Sequence, residues 1–201
     1  METGPWDRYA KARSPRRLVN AAGASTWFNW TQYPDHGPGL EVLNLLPGSR
    51  VLDLGCGKGG NLAHVAAQGH HGVGVDVSEV QLSHAAKRWP ELTLVHGDAL
   101  AYLEKGEGTF HAAYSVFGAL WFVDPDAMLP ALHRRLHGTL AFSYADMNGV
   151  SALPRWDMEP DEWAERLDKH GFTDIEHRVI DPPDSVARSR PTFLVRATRQ
   201  A

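Results

Sequence analysis

The run Val51-Leu52-Asp53-Leu54-Gly55-Cys56-Gly57-Lys58-Gly59-Gly60 constrains this chain more than any other segment. A short apolar stretch is broken by an acid and then by glycines at every second position. Such a run predicts a buried strand, a turn too tight for side chains, and the start of a helix. Glycines let a ligand lie directly on backbone amides, and a helix N-terminus offers unpaired N–H groups to an anion. Asp53, two residues before the first glycine, adds a negative charge at the same edge. Anion-binding amides beside a carboxylate suit a ligand of both signs, such as an amino-acid end.

The glycines alone leave two cofactor families open. Gly55, Gly57 and Gly60 also satisfy G-x-G-x-x-G, the pattern of nicotinamide and flavin dinucleotide folds. A helical face of Leu62, Val65 and Ala66 follows, with Gly69 as its stop. Val73-Gly74-Val75-Asp76 then reads as a second buried strand. It ends in a carboxylate about twenty residues past the glycines, where a ribose hydroxyl is accepted. Both families use that acid, while its charge disfavours a 2′-phosphate. A third strand, Leu92 to Val95, runs into His96-Gly97-Asp98-Ala99. Asp53, Asp76 and Asp98 thus stand at the ends of three successive strands, the edge where an open parallel sheet binds its ligand. Taken singly, each is also an ordinary strand-end cap.

The ungapped D-x-G-x-G-x-G block, with Gly97-Asp98-Ala99 after the third strand, resembles the class I S-adenosylmethionine-dependent methyltransferases. In that family the acid of the G-D-A segment faces the adenine amino group. The resemblance covers about residues 40 to 200. It implies a seven-stranded sheet ordered 3-2-1-4-5-7-6 with the seventh strand antiparallel. It also implies S-adenosylmethionine as cofactor and S-adenosylhomocysteine as product. The cofactor residues it implies are Asp53, Gly55, Cys56, Gly57 and Gly59, then Asp76 and Val77, then Gly97, Asp98 and Ala99, and Ser115.

The rest of the pattern agrees with an α/β, doubly wound, mostly parallel sheet with helices on both faces, since strands alternate with helices. Residues 1–39 are aromatic and irregular and read as a lid; 40–201 read as the methyltransferase-like domain. A helix is expected through Val42, Leu45 and Leu46, broken by Pro47-Gly48. Ser78 and Gln81 form a capping box for the helix carrying Leu82, Ala85 and Trp89. Phe110 to Phe117 supplies the fourth strand. The next helix starts at Asp124-Pro125, carries Leu129, Leu132 and Leu136 inward, and ends at Gly138, before a fifth strand from Thr139 to Tyr144. Pro160 to Gly171 bounds a last helix. Phe172–Ile180 and Thr192–Thr198 read as an antiparallel closing pair.

Methyl transfer from a sulfonium is an in-line displacement, so the protein mainly positions the acceptor and excludes water. The acceptor belongs at the carboxyl ends of strands four and five. That places Trp121 and Tyr144 near the reaction, and Trp30 in the roof above it, as substrate-binding candidates; aromatic rings tolerate a nearby sulfonium. His36 is the candidate base and Tyr33 its companion, in Tyr33-Pro34-Asp35-His36-Gly37. The rival account is a turn in which Asp35 caps amides and His36 faces solvent. Some amino-group methyltransferases carry N-P-P-Y or D-P-P-Y after strand four. Here that position reads Ser115-Val116-Phe117-Gly118, and Asp181-Pro182-Pro183-Asp184 lies far downstream.

A net charge of -4 and the lack of a basic block argue against nucleic acid as partner. Cys56 is the only cysteine and the histidines lack metal spacing, so no metal site is expected. No apolar stretch could span a bilayer and no signal peptide is evident. These features lead to an expected cytoplasmic enzyme methylating a small molecule such as a secondary metabolite, as a monomer or homodimer. An RNA or protein methyltransferase is the alternative. An NAD-dependent oxidoreductase or non-catalytic nucleotide binder is third, and no Y-x-x-x-K pair after the fourth strand supports it.

Overall fold

The computed structural model describes residues 4–12, 18–145, 154–184 and 190–200. Seven strands form one sheet in the order β3-β2-β1-β4-β5-β7-β6. They are β1 (Arg50–Leu54), β2 (His71–Asp76), β3 (Thr93–His96), β4 (Phe110–Val116), β5 (Leu136–Ala145), β6 (Thr173–Ile180) and β7 (Thr192–Arg199). The first five pair in parallel, and β7 runs antiparallel to both β5 and β6. Helices α1 (Gly4–Ala12), α2 (Gly60–Ala67), α3 (Glu79–Arg88), α4 (Ala99–Lys105), α5 (Ala119–Phe122), α6 (Pro125–Arg135) and α7 (Pro160–Lys169) connect or flank them. Strand order reverses between β1 and β4, which opens a crevice at their carboxyl ends.

Alternation along the strands sorts the core into two faces. Leu52, Leu54, Ala113, Leu140 and Phe142 meet α4, α6 and α7 on one side. Val51, Ala112, Tyr114, Ala141 and Leu194 face the other way, where Phe28, Trp30 and Leu43 cover them. The irregular segment before residue 40 therefore supplies core. Trp30 is fully buried, its indole N–H donates to the Gly39 carbonyl, and its own carbonyl accepts from Ser143 Oγ.

Several boundaries differ from the sequence reading. The stretch through Val42 closes as a single 3-10 turn, Leu40–Leu43, because Asn44 adopts a left-handed conformation. Helix α6 stops at Arg135, and Leu136 to Gly138 already belong to β5. The apolar Leu136 fits either a helix face or a buried strand, and no stop residue stands between the two elements. Helices α1 and α5 fall in stretches that carry no periodic signal long enough to read.

Candidate functional site

The glycine turn sits at the switch point, and its geometry explains its composition. Gly55 has φ +83, and a side-chain carbon there would lie 2.7 Å from the Ala119 nitrogen. Gly118 mirrors it: an added carbon would sit 2.4 Å from the Leu54 carbonyl oxygen. The backbones of the β1 and β4 loops thus touch directly, and neither position tolerates a side chain. Gly57, at φ +54, has only the end of Gln81 within 4.0 Å of such a carbon, so this side of the turn is open.

Four of the turn's amides are already used. Gly55 and Cys56 donate to the Val75 carbonyl at 2.8 and 3.1 Å, and Gly59 donates to Cys56 at 3.0 Å. Gly57 N–H donates to Asp76 Oδ2 at 2.8 Å. These four donors are therefore not waiting for an anion, and an anionic end of a ligand is left the first turn of α2. Asp76 is held on its other side by the Ser78 N–H, which reaches Oδ1 at 2.8 Å. Ser78 Oγ caps α3 by accepting from Gln81 N–H at 3.2 Å. Asp76 thereby takes the place of Gln81 in the expected capping box, and Gln81 Oε1 is left buried without a partner among the described residues. Burial raises the Asp76 pKa, opposed by its amide donors and by His96.

Asp98 caps α4 through Oδ1, which accepts from Ala101 N–H at 3.0 Å, and no partner for Oδ2 appears among the described residues. Gly97 N–H donates to the Asp76 carbonyl, and the space beside its α-carbon is empty. Val77 offers its carbonyl to His96 Nε2 at 3.1 Å. Ala99 packs into the core. Asp76, Val77, Gly97 and Asp98 are therefore brought together around the open side of the glycine turn.

Three of the expected cofactor residues have their side chains held within the protein. Asp53 is buried and accepts from Tyr114 Oη at 2.8 Å. Burial pushes its pKa up to about 8, against the pull of that hydrogen bond. Burial therefore favours its neutral form. Ser115 Oγ donates to the Leu54 carbonyl at 2.8 Å and accepts from Leu120 N–H at 3.3 Å, locking β4 to β1 and to α5. The Cys56 thiol points back at Gly74, and burial raises its pKa as well.

Helix α1 lies across this end of the sheet. Ser78 Oγ donates to Asp7 Oδ1 at 2.5 Å on the α3 side. The Trp6 and Phe122 rings meet edge to face at 4.5 Å on the α5 side. Neither contact was legible from the irregular N-terminal pattern. Phe117, which ends β4, was also missed as a strained position: it has φ +49, and its N–H donates to Ser143 at 2.9 Å. A left-handed phenylalanine costs about 1–2 kcal/mol and marks a position fixed by its surroundings.

The acceptor candidates divide. Trp30, fully buried on the far face, cannot line a pocket, which corrects its expected role. Trp121 and Tyr144 lie together, with ring centroids 6.3 Å apart. Trp121 Nε1 donates to Asp157 Oδ1 at 3.1 Å, and the Arg155 guanidinium stands 5.2 Å over its ring. Tyr33 and His36 are ring neighbours at 6.1 Å, but both are tied to the β6–β7 loop. Tyr33 Oη donates to the Arg190 carbonyl and accepts its N–H, at 2.9 and 2.8 Å. His36 Nε2 lies 2.7 Å from the Asp181 carbonyl, a contact that needs the proton on Nε2. The Tyr33 hydroxyl is thus spent on backbone and does not orient His36. Among the described residues, no group of three His, Cys, Asp or Glu side chains converges as a metal site would, and no helix is long and apolar enough to cross a membrane.

A parallel sheet with a glycine turn at its switch point and acids after its first three strands defines a Rossmann-like nucleoside-binding domain. Residues 51–139 match the model of a methyltransferase domain family, so the resemblance read from the glycine block is shown over that span. The solved structure of magnesium protoporphyrin IX methyltransferase from Synechocystis, with bound S-adenosylhomocysteine, shares the fold. Its TM-score is 0.61 at 20% identity, over 78% of this chain and 77% of that one. The chain is also 29% identical to the 18S rRNA (guanine-N(7))-methyltransferase of Mus musculus, over 77% of this chain and 57% of the relative. The Saccharomyces cerevisiae 18S rRNA (guanine(1575)-N(7))-methyltransferase is 28% identical over 73% of this chain and 54% of the relative. The chain thus spans just over half the length of these curated relatives. They overturn the expectation that nucleic acid is excluded as a partner. Net charge is a sum over the whole surface and does not register where cations lie.

Proposed function

We propose that this chain is an S-adenosylmethionine-dependent methyltransferase whose acceptor is RNA, at a guanine ring nitrogen. The observation that carries the acceptor is the similarity to the mouse rRNA guanine-N(7)-methyltransferase over 77% of this chain. The donor reading rests on the open side of the glycine turn beside Asp76, where Gln81 Oε1 is buried and unpartnered.

When bound, S-adenosylmethionine supplies an electrophilic methyl carbon on a positively charged sulfur. Asp76, anchored by two amides, would accept from the ribose hydroxyls, and Asp98 Oδ2 would face the adenine amino group. Guanine N7 has a free lone pair and carries no proton to remove; its bond to the methyl carbon would form as the carbon–sulfur bond breaks, leaving neutral S-adenosylhomocysteine and a positively charged base. No general base is then required, in keeping with a His36 whose Nε2 is occupied by Asp181. The remaining work is orientation and exclusion of water.

The test is incubation of the protein with radiolabelled S-adenosylmethionine and deproteinised small-subunit ribosomal RNA, then nucleoside mass spectrometry. Label recovered as 7-methylguanosine is expected, with binding that weakens as salt rises. RNA that stays unlabelled would overturn the acceptor. Calorimetric titration checks the donor separately: tight NAD binding without response to S-adenosylmethionine or S-adenosylhomocysteine would overturn it.

A further inference from the structure

Tyr144 lies next to the last residue of β5, one residue past the last β4–β5 pairing, Val116 with Ser143. Its ring stands among Trp121 at 6.3 Å, Trp163 at 6.2 Å, Phe142 at 6.2 Å and Phe193 at 5.2 Å. This box lies at the carboxyl end of the sheet, on the α5 and α7 side. Two polar atoms in it, Tyr144 Oη and Trp163 Nε1, are buried and have no hydrogen-bond partner among the described residues. The residues are 2% and 0% exposed. Buried hydroxyls and indole N–H groups normally find partners, so two neighbouring orphans in one aromatic box call for an explanation.

Both orphans are donors. Burial, with the carboxylates of Glu159 and Glu162 nearby, raises the Tyr144 pKa and keeps its proton in place. An indole N–H can only donate. The box therefore lacks an acceptor atom. The segment running from residue 154 to 159 has no helix or strand, packs Trp156 and Met158 against this cluster, and donates Trp156 N–H to the Trp121 carbonyl at 2.8 Å. Such a segment opens at small cost compared with a strand or helix.

On the RNA reading given above, we infer that Tyr144 Oη donates to the carbonyl oxygen of the acceptor guanine when the 154–159 segment opens. Unpaired RNA bases are recognised in this way, by aromatic stacking and by hydrogen bonds to the base edge. Carbonyl recognition leaves the ring nitrogen free to attack.

The test is Tyr144→Phe, which removes only the hydroxyl. Its melting temperature is expected to equal or exceed that of the wild type, because no protein hydrogen bond is lost. Its calorimetric affinity for S-adenosylmethionine should stay within twofold. Its kcat/KM for RNA should fall about fivefold or more, the worth of one hydrogen bond. A transcript with 2-aminopurine, which lacks the carbonyl, at the methylated position should lower the wild-type rate by a similar factor. The two losses should not multiply. A smaller loss, multiplying losses, or a melting temperature that falls with activity would overturn the role of Tyr144 and leave the RNA reading standing. Failure of the wild type to label any RNA would overturn both.

Discussion

At the scale of single residues, two acids near the same turn do opposite things. Asp76 is anchored by the N–H groups of Gly57 and Ser78 at 2.8 Å each and faces the crevice, whereas Asp53 is enclosed, and burial favours its neutral form. Asp76→Ala removes both anchors and the ribose acceptor, so calorimetry should show S-adenosylmethionine binding about tenfold weaker or worse. Asp53 gives a prediction of a different kind. Its pKa rises from 3.8 when exposed to about 8 when folded. Between those values the folded state holds a proton that the unfolded state has released. Stability therefore falls as pH rises across that window, and levels off above it. Asp53→Asn keeps the shape and an acceptor for Tyr114 without the titration. Thermal unfolding between pH 5 and 8 should slope downward for the wild type and be flatter for the variant. Parallel slopes would mean that Asp53 is ionised in the fold.

At the scale of elements, the packing of β1 on the β4–α5 turn is the tightest requirement. Gly118→Ala would push a carbon to 2.4 Å from the Leu54 carbonyl and must spread the two strands at the crevice. Loss of cofactor binding with a marked drop in melting temperature is expected, checked by calorimetry and circular dichroism. Arg135 is a second fixture: buried, without a carboxylate partner, it donates to the carbonyls of Gly108, Leu103 and Glu107 at 2.5, 3.1 and 2.9 Å. Arg135→Met strands those carbonyls and should cost about 2–3 kcal/mol in denaturant unfolding. The β1 turn, Asp76 and Asp98 were legible because their signals are local, a few residues of fixed spacing. The enclosure of Asp53 was not, since it depends on the pairing of β1 with β4, which also brings Tyr114 onto it. The α6–β5 junction was not either: Leu136 is apolar at a position that suits both elements. Gly55 was read as freedom for a ligand, but half of its reason is contact with Gly118, which no motif shows.

At the scale of the whole molecule, the N-terminal segment does two separable jobs. Residues 28–43 close the second face of the sheet, with Phe28, Trp30 and Leu43 over Tyr114, Ala141 and Leu194. Helix α1 instead spans the crevice, from Ser78 at one wall to Phe122 at the other. Aromatic content alone made the whole stretch read as a lid, because an irregular segment has no periodicity to reveal which rings point inward. Truncation separates the two jobs. A chain starting at residue 18 keeps the core and should melt near the full-length temperature, while binding S-adenosylmethionine more weakly for want of α1. A chain starting at residue 40 loses Phe28 and Trp30 together. Removing one large buried aromatic costs about 3–5 kcal/mol, and a domain holds only about 5–15 kcal/mol in all. The shorter chain should therefore lack a cooperative thermal transition in circular dichroism. A sharp transition close to that of the full chain would show that the sheet closes without this segment and that Trp30 belongs to a detachable cover after all.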